Sequence, residues 1–144
     1  MSAKNGYTFV EMLIVLTMIF IIAVVGLSLG ERGIRSQEIH RFLDQLVIDA
    51  HYIQNYAKTK NAKVDIFFIV GEQRYIGRLR QSKKILFSKS MPTALAIDVK
   101  STLTTISFNE KGNASYAGKL IFDFGTIKKE VYVYLGSGRI LVID

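Results

Sequence analysis

Gly6-Tyr7-Thr8-Phe9-Val10-Glu11-Met12-Leu13-Ile14-Val15-Leu16 opens an apolar run that ends at Leu29. From Met12 to Leu29 there is no charge, and only Thr17 and Ser28 are polar. A helix over those residues, rising about 1.5 Å at each, covers roughly 27 Å, close to the hydrocarbon thickness of a bilayer. One carboxylate, Glu11, stands at the threshold of this segment. An ionisable group in lipid costs about 2.5–3.5 kcal/mol on insertion scales, so Glu11 calls for a partner. The run exceeds the apolar core of about 7–15 residues in an ordinary signal peptide, and no clean small-x-small cleavage site follows it. It predicts a retained anchor. Lys4 precedes it, while Arg32 and Arg35 follow beside Glu31 and Glu38, so charge alone leaves the orientation open.

Of the 144 residues, 114 remain after residues 1–30, enough for one modest core. The short stretch before the apolar run leaves no room for a folded domain on its side, so the domain is expected to be the C-terminal one. Cysteine is absent, which removes disulfides, thiolate metal sites and thiol nucleophiles together. Lys4 and Glu11 are the only charges before residue 31, so 18 Lys/Arg stand against 11 Asp/Glu from Glu31 onward. That surplus attracts anionic polymers such as nucleic acid or wall polymers, and it also serves plain solubility.

Gly6-Tyr7-Thr8-Phe9-Val10-Glu11, with a basic leader before it and an apolar run after it, resembles the class III signal of type IV pilins and pseudopilins. The resemblance implies that a prepilin peptidase cuts after Gly6, that Tyr7 becomes an N-methylated N-terminus, and that Glu11 is the assembly glutamate. Physical chemistry is compatible with it. A new α-amino group at Tyr7 would supply a positive charge for Glu11 of a neighbouring helix, and the helix dipole tolerates a carboxylate in the first turns. Gly26 and Gly30 form a small-xxx-small pair that allows close helix approach. Alternatively Gly26, Gly30 and Gly33 only loosen the helix, and this plainer reading is preferred. Many pilins have a helix-breaking proline near the position of Ser28; this chain has none there.

Residues from about 32 to 60 read as an amphipathic helix. Ile39, Phe42, Leu43, Leu46, Ala50, Ile53 and Ala57 form one stripe at 3-4 spacing. Arg35, Gln37, Glu38, Arg41, Asp44, Gln45, Asp49, Gln54 and Asn55 fill much of the remainder, and Asn61 is placed to close the helix. After Lys63 the pattern turns to strands: 64–70, a turn at 71–73, 74–81, then 83–87 as its continuation or a third strand. Met91-Pro92 breaks the pattern. Short strands follow over 95–99, 104–108 and 119–124, with a glycine turn at 109–113. Residues 130–135 and 139–143 pair across Gly136-Ser137-Gly138 as a hairpin.

Phe108-Asn109-Glu110-Lys111-Gly112, followed by Val133-Tyr134-Leu135-Gly136-Ser137-Gly138-Arg139-Ile140, resembles the C-terminal half of ComGD-type competence minor pilins. The middle, about 61–105, matches only in strand character. By this resemblance the chain belongs to a Gram-positive competence pilus that captures extracellular DNA for transformation. The partners it implies are the prepilin peptidase, the major competence pilin, other minor pilins, the pilus assembly platform and the membrane.

Catalytic signatures are missing: there is no G-x-S-x-G elbow, phosphate loop or H-E-x-x-H. Ser137 sits in a hairpin turn. His40 and His51 are about 16 Å apart along a helix, too far to share a metal, so no catalytic residue, metal site or cofactor is assigned. Strand alternation puts Arg74, Ile76, Arg78 and Arg80 on one face, with Lys83 and Lys84 beyond. Arg74, Arg78, Arg80, Lys83 and Lys84 are the candidate DNA contact, as a row matching successive phosphates. A solvated strand face, or an edge guarded by charge, is the other reading.

The expected fold is α+β, type IV pilin-like: a long N-terminal helix, transmembrane in its first half and amphipathic in its second, packed on an antiparallel β-sheet. Residues 1–6 are the leader, 7–30 the transmembrane and assembly helix, and 31–144 the globular domain. The expected function is that of a non-enzymatic minor pilin for DNA uptake, with its N-terminus cytoplasmic and its domain on the cell surface or pilus. The alternatives are a type II-like secretion pseudopilin and a membrane-tethered polyanion receptor that never assembles.

Overall fold

The computed structural model describes residues 8–93, 95–125 and 127–143, with backbone alone for 25–35. The expected leader, 1–6, lies outside the described residues. A single helix, α1 (Phe9–Lys60), runs for 52 residues. Thr8 caps it. Its hydroxyl oxygen accepts the Glu11 N–H at 3.3 Å, and its carbonyl accepts the Met12 N–H at 3.2 Å. Threonine at the cap with glutamate three residues on is the capping-box sequence. The backbone stays helical through Gly26, Gly30 and Gly33, although each glycine costs about 0.5–1 kcal/mol relative to alanine.

The chain divides into two compact units, Met1–Glu38 and Ile39–Asp144. In the first unit the side chains of residues 8–24 are all exposed. In the second, the predicted stripe of Ile39, Phe42, Leu43, Leu46, Ala50, Ile53 and Ala57 is buried at every position. Asn61 ends the helix in the left-handed conformation (φ 47°), and the Ala62 N–H returns to the Ala57 carbonyl at 3.1 Å. That is the Schellman closure, with asparagine in the place glycine usually takes.

Among the described residues eight strands follow: β1 (Val64–Ile69), β2 (Arg74–Leu79), β3 (Ile85–Ser90), β4 (Ala96–Ile97), β5 (Thr105–Phe108), β6 (Gly118–Asp123), β7 (Lys128–Val133) and β8 (Ile140–Ile143). A 3-10 turn, Val70–Glu72, joins the first two. All ladders are antiparallel, but they form two four-stranded sheets rather than one, in the orders β3-β2-β1-β5 and β4-β6-β7-β8. The division has a physical origin. Pro92, with no N–H to give a ladder, follows β3; the chain contributes β4 to the second sheet and then returns to add β5 on the far edge of β1. The turn after Phe108 then delivers it to the second sheet.

The two sheets and the helix stripe share one core. Phe42 packs edge-on against Tyr75 at 5.9 Å and against Phe122 at 5.5 Å, and Phe68 meets Phe122 at 5.4 Å. Two residues assigned to the polar side of the helix belong to this interior. Asp49 is 4% exposed and Gln54 7%. Each is admitted because its polar atoms are bonded there, as described below.

Candidate functional site

The first candidate is the start of α1. Between Phe9 and Val24 the only polar side chains are Glu11 and Thr17, and Thr17 donates its hydroxyl to the Ile14 carbonyl at 2.8 Å. Its one donor is thereby satisfied within the helix, which suits surroundings that offer no partner. Phe9, Phe20 and Ile22 are each more than two-thirds exposed. Contiguous apolar surface of this kind marks a place where another apolar body packs. Glu11 stands exposed in the first turn, its own N–H bound to the Thr8 cap. Gly6 and Tyr7, the expected cleavage and methylation positions, lie outside the described residues. Among the described residues no helix is long and apolar enough to cross a membrane. The stretch with described side chains, 9–24, measures about 24 Å, short of the roughly 20 residues a span needs.

The second candidate is the basic strand, and its residues have separate fates. Asp65, opposite Arg78 in the β1–β2 ladder, is 3% exposed and receives Arg80 through both carboxylate oxygens, at 2.6 to 3.1 Å. This fork-shaped pairing raises the Arg80 pKa above its ordinary value. Arg78 lays its guanidinium 3.7 Å from the centre of the Phe67 ring. Arg74 pairs with Glu72 across the 3-10 turn. Lys83 and Lys84 lie exposed on the β2–β3 turn, with Lys83 at φ 55°. The five residues are therefore not brought together: Arg74, paired with Glu72, lies at one end of β2, Lys83 and Lys84 lie beyond its other end, and Arg78 and Arg80 are engaged by the sheet itself.

Two buried polar centres are not evident from residue type along the chain. Asp49 accepts the Tyr75 hydroxyl at 2.6 Å, the Lys89 ammonium at 2.6 Å and the Gln45 amide at 3.0 Å, tying α1 to β2 and β3. Burial first, and then the bond and charge of Asp49, push the Tyr75 phenol far above its ordinary range. Gln54 donates from one amide nitrogen to the carbonyls of Gly112 at 2.8 Å and Ser137 at 2.9 Å. It joins the helix to the two glycine turns. His51 sits 3.4 Å from the Gln54 oxygen. Periodicity held the missing signal: Asp49 and Gln54 fall three or four residues from Leu46, Ala50, Ile53 and Ala57, on the stripe rather than opposite it. Among the described residues no group of three His, Asp or Glu side chains is placed to hold a metal.

No family model matches the chain, and no solved structure matches it. Among curated proteins, competence protein ComGD of Bacillus subtilis (strain 168) is 27% identical over 143 residues, covering 99% of this chain and 95% of that protein. The matched span takes in the capped, apolar start of α1, the basic hairpin and both glycine turns held by Gln54. From end to end, this chain is similar to ComGD.

Proposed function

We propose that the chain is a minor pilin, or pseudopilin, of a competence pilus, a structural component of DNA uptake rather than an enzyme. The observation that carries this reading is the uncovered apolar surface of 9–24 with a single exposed carboxylate, Glu11, at its head. Such a surface is unfavourable in water and favourable against lipid or like helices. Full-length similarity to a competence protein supports the same assignment. In this reading the prepilin peptidase cuts after Gly6 and Tyr7 is methylated. Residues 7–30 hold the chain in the membrane, with the leader cytoplasmic and the domain outside. Glu11 then meets the N-terminal amine of a neighbouring subunit on the assembly platform, among the major pilin and other minor pilins. DNA contact through the basic strand falls mainly to Lys83 and Lys84, because Glu72, Phe67 and Asp65 engage Arg74, Arg78 and Arg80.

Mass spectrometry of the native protein tests the processing: loss of residues 1–6 and one methyl group on Tyr7 are expected, and an intact Met1 overturns the reading. Glu11→Ala is expected to remain membrane-bound and to be absent from sheared filaments. Loss of transformation on deleting the gene separates competence from secretion.

A further inference from the structure

A hollow of 280 Å³ opens where the C-terminal end of α1 meets the β2–β3 hairpin, lined by Tyr56, Lys60, Lys63, Leu79, Gln81 and Ser82 among others. Its walls are fixed by backbone bonds. The Arg80 N–H donates to the Lys63 carbonyl at 2.9 Å, and the Leu79 N–H closes the turn onto the Lys84 carbonyl at 2.9 Å. Among the described residues Lys60, Lys83 and Lys84 enter no ion pair, and Lys63 reaches Glu110 only at 3.6 Å, with both side chains well exposed.

Lysines alone say little. Lys58 and Lys60 complement the carbonyl end of the helix, and Lys83 and Lys84 are ordinary turn residues. In the aromatic ledge beside them Tyr56 and Phe87 pack against the core, and Tyr52 is the ring left half exposed. Tyr56, in the wall of the hollow, is 6.5 Å from Tyr52, and Tyr52 is 6.3 Å from Phe87. Tyr52 is 51% exposed and Ile85 54%. A flat, half-open ring surface next to a hollow lined by Lys60 and Lys63, with Lys83 and Lys84 following its Ser82 wall in the exposed turn, fits a ligand that carries both phosphates and flat faces. A duplex keeps its base faces stacked, and a polyol phosphate has none. A flexible single strand offers both.

We propose that this hollow and its tyrosine ledge bind single-stranded nucleic acid, with Lys60, Lys63, Lys83 and Lys84 facing phosphates and Tyr52 stacking on a base. The site shares Lys83 and Lys84 with the basic strand, rests to that extent on the DNA contact proposed above, and needs no filament.

Fluorescence anisotropy with labelled oligothymidylate and the full-length protein in non-ionic detergent tests it. Tyr52→Ala should weaken binding about tenfold, and Tyr52→Phe should retain it. Each of Lys60→Ala, Lys63→Ala and Lys84→Ala should reduce the salt slope of log K by about 0.7. Duplex of equal length and inorganic polyphosphate should compete poorly. Tyr52 is exposed, so the circular dichroism and melting of its variants should match the parent and exclude misfolding. Absence of binding, unchanged binding by Tyr52→Ala, or equal competition by polyphosphate or duplex would overturn the proposal. Glu11→Ala should bind as the parent does, so failure of assembly and failure of this site are read separately.

Discussion

The Asp49 carboxylate accepts the Tyr75 hydroxyl at 2.6 Å inside the core, where both residues are almost fully buried. A buried acceptor that loses one partner keeps two others here, Lys89 and Gln45. Tyr75→Phe should therefore cost only about 1–2 kcal/mol in denaturant unfolding. Asp49→Ala leaves the buried phenol without its acceptor, while the partly exposed Lys89 turns to water, and should cost more, about 2–3 kcal/mol.

The same phenol makes stability fall in alkali. Its folded pKa lies above the ordinary value of 10.0, so its contribution is complete below that value. It is lost as pH rises beyond it, because the unfolded chain releases a proton that the folded chain retains. Melting curves above pH 10 should fall less steeply for Tyr75→Phe than for the parent.

Gln54 offers a second test of how the helix is held. Gln54→Leu leaves two turn carbonyls without their donor and should cost about 2–3 kcal/mol, with faster amide exchange in residues 109–113 and 136–138. Gly138→Ala should destabilise too, since a methyl there would lie 2.5 Å from the Gln54 nitrogen at a backbone φ of +62°. The two changes should be far from additive, because they break one arrangement.

On the acid side, Lys128 bridges Asp98 at 2.6 Å and Asp123 at 3.1 Å. The Lys128 bond, then the Lys100 N–H, holds the Asp98 pKa below its usual 3.8, and the Gly125 N–H with Lys128 does the same for Asp123. Depressed carboxylates stabilise the fold above their unfolded pKa and lose that contribution as pH falls through the folded one. Lys128→Met should flatten the dependence of melting temperature on pH below about pH 4.

Thr8→Val removes the hydroxyl that accepts the Glu11 N–H and should fray the first turn, at a cost of about 1 kcal/mol. Thr8→Ser should not. Hydrogen exchange at residues 9–12 in detergent reads the difference.

Much of this architecture is legible in the sequence alone. The helix stripe is readable because burial on a helix repeats every 3.6 residues and seven apolar residues keep that beat. Asn61 and the glycine turns are readable because left-handed backbone favours those residues. Asp49 and Gln54 pass for polar surface when residue type is weighed above position, although their spacing puts them among Leu46, Ala50 and Ala57. The split into two sheets is not legible, since alternation shows a strand's faces but not which edge it joins. Nor are the fates of Arg78 and Arg80. They depend on cross-strand neighbours, Phe67 and Asp65, which only the ladder register brings near.

Thr17 spends its hydroxyl on its own helix, and one consequence concerns alignment. An apolar rod has no preferred depth or rotation against another: dispersion contacts are nearly as good after a slide of one turn. With Thr17 silent, 9–24 carries a single directional mark, the carboxylate of Glu11. Whatever packs along this helix is indexed by that one group, as a scale is by its zero.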